Sequence, residues 1–231
     1  MTEDARAAIL RALPRASEAP EASAEWRRPL PADGFDQAAL AARFIAACAE
    51  HGVTVTREVG PGAARLSILS FLRSADARQV LVWPQDELPV PGLLDALQML
   101  GIETVTPSAA AVSSRAILLQ EKTVSFGMTT GLAGLADEGS ILVHYPSAGA
   151  ALAAAWPLTH VILLPTSRIV PSFEWWLAAA RSQGQLVSWL QGDMTIIGGA
   201  SLSMDIEQTL VRGAAGPARL HLFLIDEDIK L

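Results

Sequence analysis

Seven short apolar segments constrain the fold of this chain more than any other feature of its sequence. Several of them are apolar at nearly every position instead of at alternate positions, as in residues 160–164. An uninterrupted apolar strand is typical of a sheet that is buried on both faces, and helices covering a largely parallel sheet produce that arrangement. The segments are residues 53–55, 79–83, 101–105, 123–126, 140–143, 160–164 and 220–225. The sequence therefore predicts a layered α/β domain with a largely parallel sheet flanked by helices.

Periodic apolar positions between these segments predict the helices that cover the sheet. Within residues 35–51, Leu40, Phe44 and Cys48 recur at every fourth position, and Gly52 supplies a C-terminal stop. On such a stripe we expect the Cys48 thiol to be packed and inert. The other two stripes are Leu93, Leu94, Leu97 and Leu100, and then Phe173, Trp176, Leu177 and Ala180.

The first 34 residues lack these patterns. Residues 2–13 predict a short helix with Ile9, Leu10 and Leu13 on one side, and the following prolines and charges have no sustained period. We therefore divide the chain into an N-terminal helix and linker arm, residues 1–34, and an α/β domain, residues 35–231. A chain of 231 residues is long enough to bury the core of one large domain.

The charge balance argues against nucleic acid as a partner. Seventeen basic and 24 acidic residues give a net charge of -7, and no cluster of Lys or Arg stands out. A nucleic-acid-binding surface needs such a basic patch to neutralise phosphates. The partners that we expect are therefore proteins and small molecules.

Cysteine usage and hydropathy favour a cytoplasmic location. Cys48 is the single cysteine, which excludes an intramolecular disulfide and any all-cysteine zinc or iron–sulfur site supplied by this chain alone. The first six residues include acids where a secretory signal has a basic region. The longest apolar stretch, residues 148–164, is interrupted by Pro157 and His160, so we expect no membrane span.

A glycine-rich run, residues 127–140, is the first candidate for a binding site. Four glycines in thirteen residues permit positive φ angles and close approach to a ligand, as in loops that cradle phosphate. A ligand held there would meet Thr130, Gly131, Gly139 and Ser140. The run matches neither a dinucleotide-binding fingerprint nor a P-loop. The alternative interpretation is that the glycines serve tight turns and close packing.

Two neighbouring carboxylates, Asp137 and Glu138, are the candidate catalytic residues. Partial burial and mutual repulsion could adjust the pKa of either one for work as a nucleophile or general base. The alternative is a solvated acidic turn. No second His or Cys lies at metal-ligand spacing from His160, which we interpret as a structural group with satisfied hydrogen bonds.

A second turn, residues 197–207, is the other candidate for ligand binding. Ser203 has the chemistry of an N-cap for a helix over residues 204–212, with Asp205 in its first turn. The Gly198–Gly199 pair before it could present amide N–H groups to an anion. We therefore add Gly199, Ser203 and Asp205 to the candidate ligand-binding residues, and we predict no metal site.

Four further sequence segments occur in a fixed order, at residues 136–143, 157–162, 203–211 and 213–217. In sequence and order they resemble the LUD-domain family and, within it, the lactate utilization protein C group. The resemblance spans residues 122–224, and four motifs in a compatible order are more specific than any one of them. The chain departs from the family pattern at several positions, and Ala215 stands where the family has a histidine, so no mechanism can require that imidazole here.

The resemblance implies a fold similar to the ribose-phosphate isomerase and CoA-transferase group, with a site near the glycine-rich run. It also implies an accessory role in oxidation of L-lactate to pyruvate, alongside A-like and B-like lactate-utilization proteins that carry iron–sulfur clusters. Two alternatives stay open: a free-standing CoA-transferase-like enzyme that uses an acid near Asp137, and a non-catalytic protein that binds a small anion. The six tryptophans are compatible with self-association.

Overall fold

The fold is built on a central sheet of six parallel strands. The structure, a computed structural model, describes residue 30 and residues 34–107, 124–145, 149–184, 194–204 and 210–226. The sheet order is β1-β12-β7-β4-β2-β3, and every adjacent pair is parallel. The predicted layered, largely parallel α/β architecture is confirmed. Its strands are β1 (Thr54–Val59), β2 (Gln79–Val82), β3 (Glu103–Val105), β4 (Phe126–Thr130), β7 (Thr159–Pro165) and β12 (Arg219–Asp226).

The centre of this sheet is buried on both faces. All seven residues of β7 and all five of β4 are buried, which accounts for their lack of polar alternation. The predicted segment at residues 123–126 overlaps β4 only at Phe126, because the strand continues through the glycine-rich run. Asp226, the last residue of β12, accepts hydrogen bonds from Thr166, which follows β7, and from Arg57 of β1.

A second, four-stranded sheet packs beside the first in the order β8-β5-β6-β9. The predicted segment at residues 140–143 belongs to this sheet, where β6 is antiparallel to both neighbours. The strands are β5 (Ala133–Leu135), β6 (Ser140–His144), β8 (Ile169–Val170) and β9 (Met194–Ile197).

The helix predicted over residues 204–212 is wrong. Residues 202–204 and 210–212 instead form an antiparallel hairpin, β10 (Leu202–Met204) and β11 (Leu210–Arg212). Ser203 lies opposite Val211 in the middle of the hairpin and caps no helix. A capping signal is local, and here cross-strand pairing overrides it. Asp205 lies outside the described residues.

Helices cover the sheets with the predicted stripes. In α1 (Gln37–Glu50), Leu40, Phe44 and Cys48 are buried as predicted, and the Asp36 carboxylate caps the first turn. The third stripe, on α5, buries Trp176 and Ala180. The other α-helices in the described ranges are α2 (Gly60–Ser74), α3 (Leu93–Met99), α4 (Leu152–Ala155) and α5 (Phe173–Ser182).

The second stripe is shorter than predicted. Leu93 and Leu97 of α3 are fully buried, whereas Leu100 follows the helix and is 44% exposed. Leu30 is the one residue of the N-terminal arm before residue 34 that the structure describes, and it packs in the hydrophobic cluster that contains Trp176. The predicted helix at residues 2–13 lies outside the described residues, and the division at residue 34 stays a prediction.

Two polar core residues behave as structural groups. Burial raises the pKa of Cys48 to about 12, and its thiol donates to the Gly139 carbonyl at 3.4 Å, as the inert-thiol prediction requires. The His160 ring is 1% exposed, and its Nε2 lies 2.8 Å from the Thr129 hydroxyl. His160 is therefore a satisfied core histidine.

We expect His160 to make the protein less stable in acid. Burial lowers the pKa of His160 from 6.5 to about 3. Between pH 6.5 and pH 3, His160 is therefore protonated in the unfolded chain and neutral in the folded chain. Stability therefore falls as the pH drops from 6.5 towards 3, with a loss of about 2 kcal/mol by pH 5 at roughly 1.4 kcal/mol per pKa unit.

Urea unfolding of the wild type and of His160→Gln at pH 7.5 and pH 5 checks this. The variant should lose less stability than the wild type between the two pH values, because glutamine has no proton to gain. An equal loss in both proteins would assign the acid sensitivity to other groups.

Candidate functional site

The connections of the central sheet diverge between β2 and β4. From β2 the chain continues to β3 on one side, whereas from β4 it continues to β7 on the other. In open α/β sheets, ligands bind outside the carboxyl ends of the two strands at which the connections diverge. A cavity of about 110 Å³ lies there, beside Trp83 after β2 and beside Thr130 and Gly131 at the end of β4. We call it the carboxyl-edge cavity.

Two basic side chains enter this cavity from other strands. Arg168 follows β7, and its Nη1 donates to the Gly131 carbonyl at 3.0 Å. His144 ends β6 and is 8% exposed. A guanidinium group carries five N–H donors in a planar fork that matches a carboxylate. Asp86 and Glu87 also line the cavity, so the site has both signs of charge.

Hydrogen bonds hold the walls of the carboxyl-edge cavity in place. The Thr130 hydroxyl donates to the Glu87 carbonyl at 2.6 Å, which joins the end of β4 to the segment after β2. The Trp83 indole donates to the Ala150 carbonyl at 3.0 Å. Because these contacts fix the walls before a ligand arrives, binding would cost less conformational entropy.

The glycine-rich run is mainly buried strand, and its glycines permit close packing. A Cβ on Gly127 would overlap the Ala153 carbonyl oxygen, and one on Gly134 would lie 2.9 Å from Leu164. Gly139 has φ +59° and lies so close to α1 that a Cβ would be 2.7 Å from the Ala47 oxygen. These three glycines therefore serve close packing, as the alternative interpretation states, and they do not form a loop that cradles phosphate.

The structure separates the predicted ligand-binding residues into groups. Thr130 and Gly131 line the carboxyl-edge cavity. Ser140 does not, because it is the first residue of β6, and the last residue of that strand, His144, is the one that lines the cavity. Ser140 and His144 are four residues apart in β6, which corresponds to about 14 Å. The Ser140 hydroxyl donates to the Glu138 carbonyl at 3.3 Å, and Gly139 lies next to it.

Gly199 and Ala215 line a different cavity, of about 250 Å³, and His160 is also among its lining residues. This cavity lies at the amino ends of β7 and β12, on the opposite side of the sheet from Thr130. Ser203 is half-buried in the hairpin. The proposed ligand-binding roles of these residues stay predictions.

The two candidate catalytic acids lie in different environments. Asp137 Oδ1 pairs with Arg43 Nη2 at 3.1 Å, and both side chains are about half exposed. Glu138 Oε1 accepts from the backbone N–H of Phe173 at 3.1 Å, in the first turn of α5. Glu138 Oε2 is buried, and no described residue forms a hydrogen bond with it. Neither acid lines the carboxyl-edge cavity.

We expect Asp137→Asn to have a small effect on stability. An exposed ion pair contributes about 0 to 1 kcal/mol because both charges keep most of their water. Urea unfolding at pH 7 measures the change, and an acyl-exchange assay on the same protein tests whether Asp137 is a nucleophile. An acyl-exchange activity in the wild type that disappears in the variant would overturn our interpretation of this residue as a surface ion-pair partner.

Sequence reasoning missed Arg168 and His144. His144 is the last residue of the apolar strand β6 and Arg168 follows the apolar strand β7 by three residues, so polar residues at the ends of buried strands were the available signal. Which of them converge depends on the strand order, and that order was not visible. Among the described residues there is no group of three or more His, Cys, Asp or Glu side chains placed to hold a metal ion. No helix in the described ranges is long and apolar enough to cross a membrane.

Comparison with known proteins identifies the family. The model of the LUD domain matches residues 2–225. The chain belongs to the LUD domain family. A crystal structure of a DUF162 family protein from Deinococcus radiodurans is similar to this LUD-domain chain, with 16% sequence identity, coverage of 83% of this chain and 99% of that chain, and a TM-score of 0.56. At that identity the likeness shows the fold alone. No curated protein matches this chain.

Proposed function

We propose that this LUD-domain protein is an accessory subunit in the oxidation of L-lactate to pyruvate. Its family membership supports a role connected with lactate utilization. The observation that carries the proposal is the carboxyl-edge cavity, which has an arginine at the point where α/β sheets bind ligands. Lactate and pyruvate are both small carboxylates.

The size and chemistry of the cavity suit such a ligand. Its volume of about 110 Å³ is well below the roughly 300 Å³ at which pockets for drug-sized molecules begin. In the proposal, Arg168 holds the carboxylate through paired N–H donors, and Thr130 and His144 lie near enough to orient the rest of the molecule. The chain's own contribution is then binding and orientation.

The electrons in this proposal pass to partner proteins. Oxidation of L-lactate to pyruvate releases two electrons and two protons, so it requires an acceptor. The chain has one cysteine, which is buried, and an iron–sulfur cluster is usually held by four. We therefore assign the clusters to A-like and B-like lactate-utilization proteins that would assemble with this chain.

The same cavity also supports the alternative of a small-anion-binding protein without turnover, because Arg168 brings positive charge to it. The acyl-transfer alternative has less support. Its nucleophile would be Asp137, which forms an exposed ion pair with Arg43 outside the described cavities.

Growth and co-purification together test the proposal. A clean deletion strain should fail to grow on L-lactate as sole carbon source, grow normally on pyruvate, and recover when the wild-type chain is restored. Affinity purification of the tagged chain from lactate-grown cells should recover partners that contain iron and acid-labile sulfide. Normal growth on lactate in a strain without another lactate dehydrogenase, or recovery of the chain without iron, would contradict the proposed role.

A further inference from the structure

The amino edge of the central sheet, where its parallel strands begin, contains a larger cavity. Its volume is about 590 Å³, within the range of ligand sites. It lies beside the first residues of β7 and β12, so the seven-residue length of β7 separates it by about 20 Å from the carboxyl-edge cavity. We call it the amino-edge cavity.

Two arginines give the amino-edge cavity a positive charge. Arg212 and Arg219 line it, and no acidic side chain among the described residues does, although the chain as a whole carries a net charge of -7. Within the described part of the chain, neither guanidinium group forms an ion pair or a hydrogen bond. Two unpaired guanidinium groups on the wall of one cavity favour an anion as its occupant.

Aromatic rings line the same cavity. Phe71 and His221 lie with their ring centroids 4.4 Å apart and their planes 39° from each other, and Phe126 meets Phe71 edge to face at 5.9 Å. Burial lowers the pKa of His221, and its Nε2 lies 2.9 Å from the Thr56 hydroxyl. His221 is therefore neutral at pH 7 and presents a ring and not a third cation.

We propose that the amino-edge cavity binds a ligand in which a flat aromatic ring is joined to an anionic group. The ring would pack on Phe71 and His221, and the anion would bind Arg212 and Arg219. A nucleoside monophosphate and an aromatic carboxylate share this chemistry. The site is separate from the cavity assigned above to lactate or pyruvate, and it does not depend on that assignment.

Calorimetric titration of the full chain with four probes tests the proposal. AMP has both parts of the ligand, adenosine has only the ring system, ribose 5-phosphate has only the anion, and 4-hydroxybenzoate is an aromatic carboxylate. We expect binding of AMP, of 4-hydroxybenzoate or of both, and at least tenfold weaker binding of the two partial probes. A preference between AMP and 4-hydroxybenzoate identifies the chemical class of the ligand, a nucleoside monophosphate or an aromatic carboxylate.

Variants of the two arginines test whether the probes bind in the amino-edge cavity. Arg212→Ala together with Arg219→Ala should weaken binding of the preferred probe at least tenfold, and should leave the fold intact because both side chains are exposed. Arg181→Ala, on α5, is the matched control and should bind as the wild type does. The proposal is overturned if neither anionic aromatic probe binds, if adenosine or ribose 5-phosphate binds as well as the complete probe, or if the double variant keeps its affinity.

Discussion

Replacing Gly127 by alanine is expected to destabilise the protein by about 3 kcal/mol or more. The new methyl group would overlap the Ala153 carbonyl oxygen and lie 2.9 Å from its carbon and 2.7 Å from Pro157 Cγ. Real Cβ contacts below 3.0 Å are essentially never found, so β4 and α4 must move apart. Because part of the obstacle is backbone, rotation of a side chain cannot relieve it.

The same substitution at Gly62 is the matched control for this prediction. Gly62 lies in α2 with nothing within 4 Å of its Cβ position, and glycine is less favourable than alanine in a helix by about 1 kcal/mol. Gly62→Ala should therefore leave stability unchanged or raise it. Urea unfolding of both variants at pH 7 measures the two changes, and a Gly127→Ala protein as stable as the wild type would contradict the close packing of β4 on α4.

The central strands could be predicted because their uninterrupted apolar residues indicate burial on both faces. Residues 160–164 are apolar except for His160, and a run of that kind has few alternatives to a strand covered on both faces. β4 was harder to locate because Thr129 and Thr130 are polar, yet both are buried. The Thr129 hydroxyl is satisfied by His160, a contact across 31 residues that no local pattern reveals.

The second sheet and the hairpin were missed for different physical reasons. β5 and β8 contain three and two residues, too few to establish a period. In the hairpin, Leu202 and Met204 are 55% and 68% exposed, so its apolar residues do not mark a core. The serine at position 203 satisfies a helix-capping pattern, but it pairs with Val211, eight residues further along the chain, which lies beyond the few residues that define the cap.

The sequence predicted some of the residues of the candidate site and missed others. Thr130 and Gly131 were identified because they belong to the glycine-rich run, whose glycines permit close approach to a ligand, and both line the carboxyl-edge cavity. Arg168 was not, because it reaches the Gly131 carbonyl from 37 residues away through the pairing of β4 with β7. Sequence patterns identify residues that suit a site, whereas the sheet order decides which of them meet.

Arg168→Ala is expected to weaken binding of pyruvate or L-lactate by about 10- to 100-fold, provided that the carboxyl-edge cavity holds the ligand. A hydrogen bond to a charged group contributes about 1.5 to 3 kcal/mol, and each 1.4 kcal/mol is tenfold in affinity. Arg168→Lys keeps the charge but loses the planar fork, so its affinity should lie between those of the wild type and the alanine variant. Calorimetric titration of the three proteins with pyruvate and with L-lactate measures these differences.

Arg65→Ala is the control that separates binding from stability. Arg65 also donates from Nη1 to a backbone carbonyl, that of Pro91 at 3.1 Å, but it lies outside the carboxyl-edge cavity. Arg65→Ala loses its hydrogen bond to Pro91, and therefore about 1 kcal/mol of stability, and Arg168→Ala loses its hydrogen bond to Gly131, but only Arg168→Ala should lose affinity. If both variants bind pyruvate as the wild type does, the carboxylate lies elsewhere in the protein. If the wild type binds neither acid, the cavity is not a lactate or pyruvate site, and the deletion strain then decides whether the proposed role in lactate oxidation survives without it.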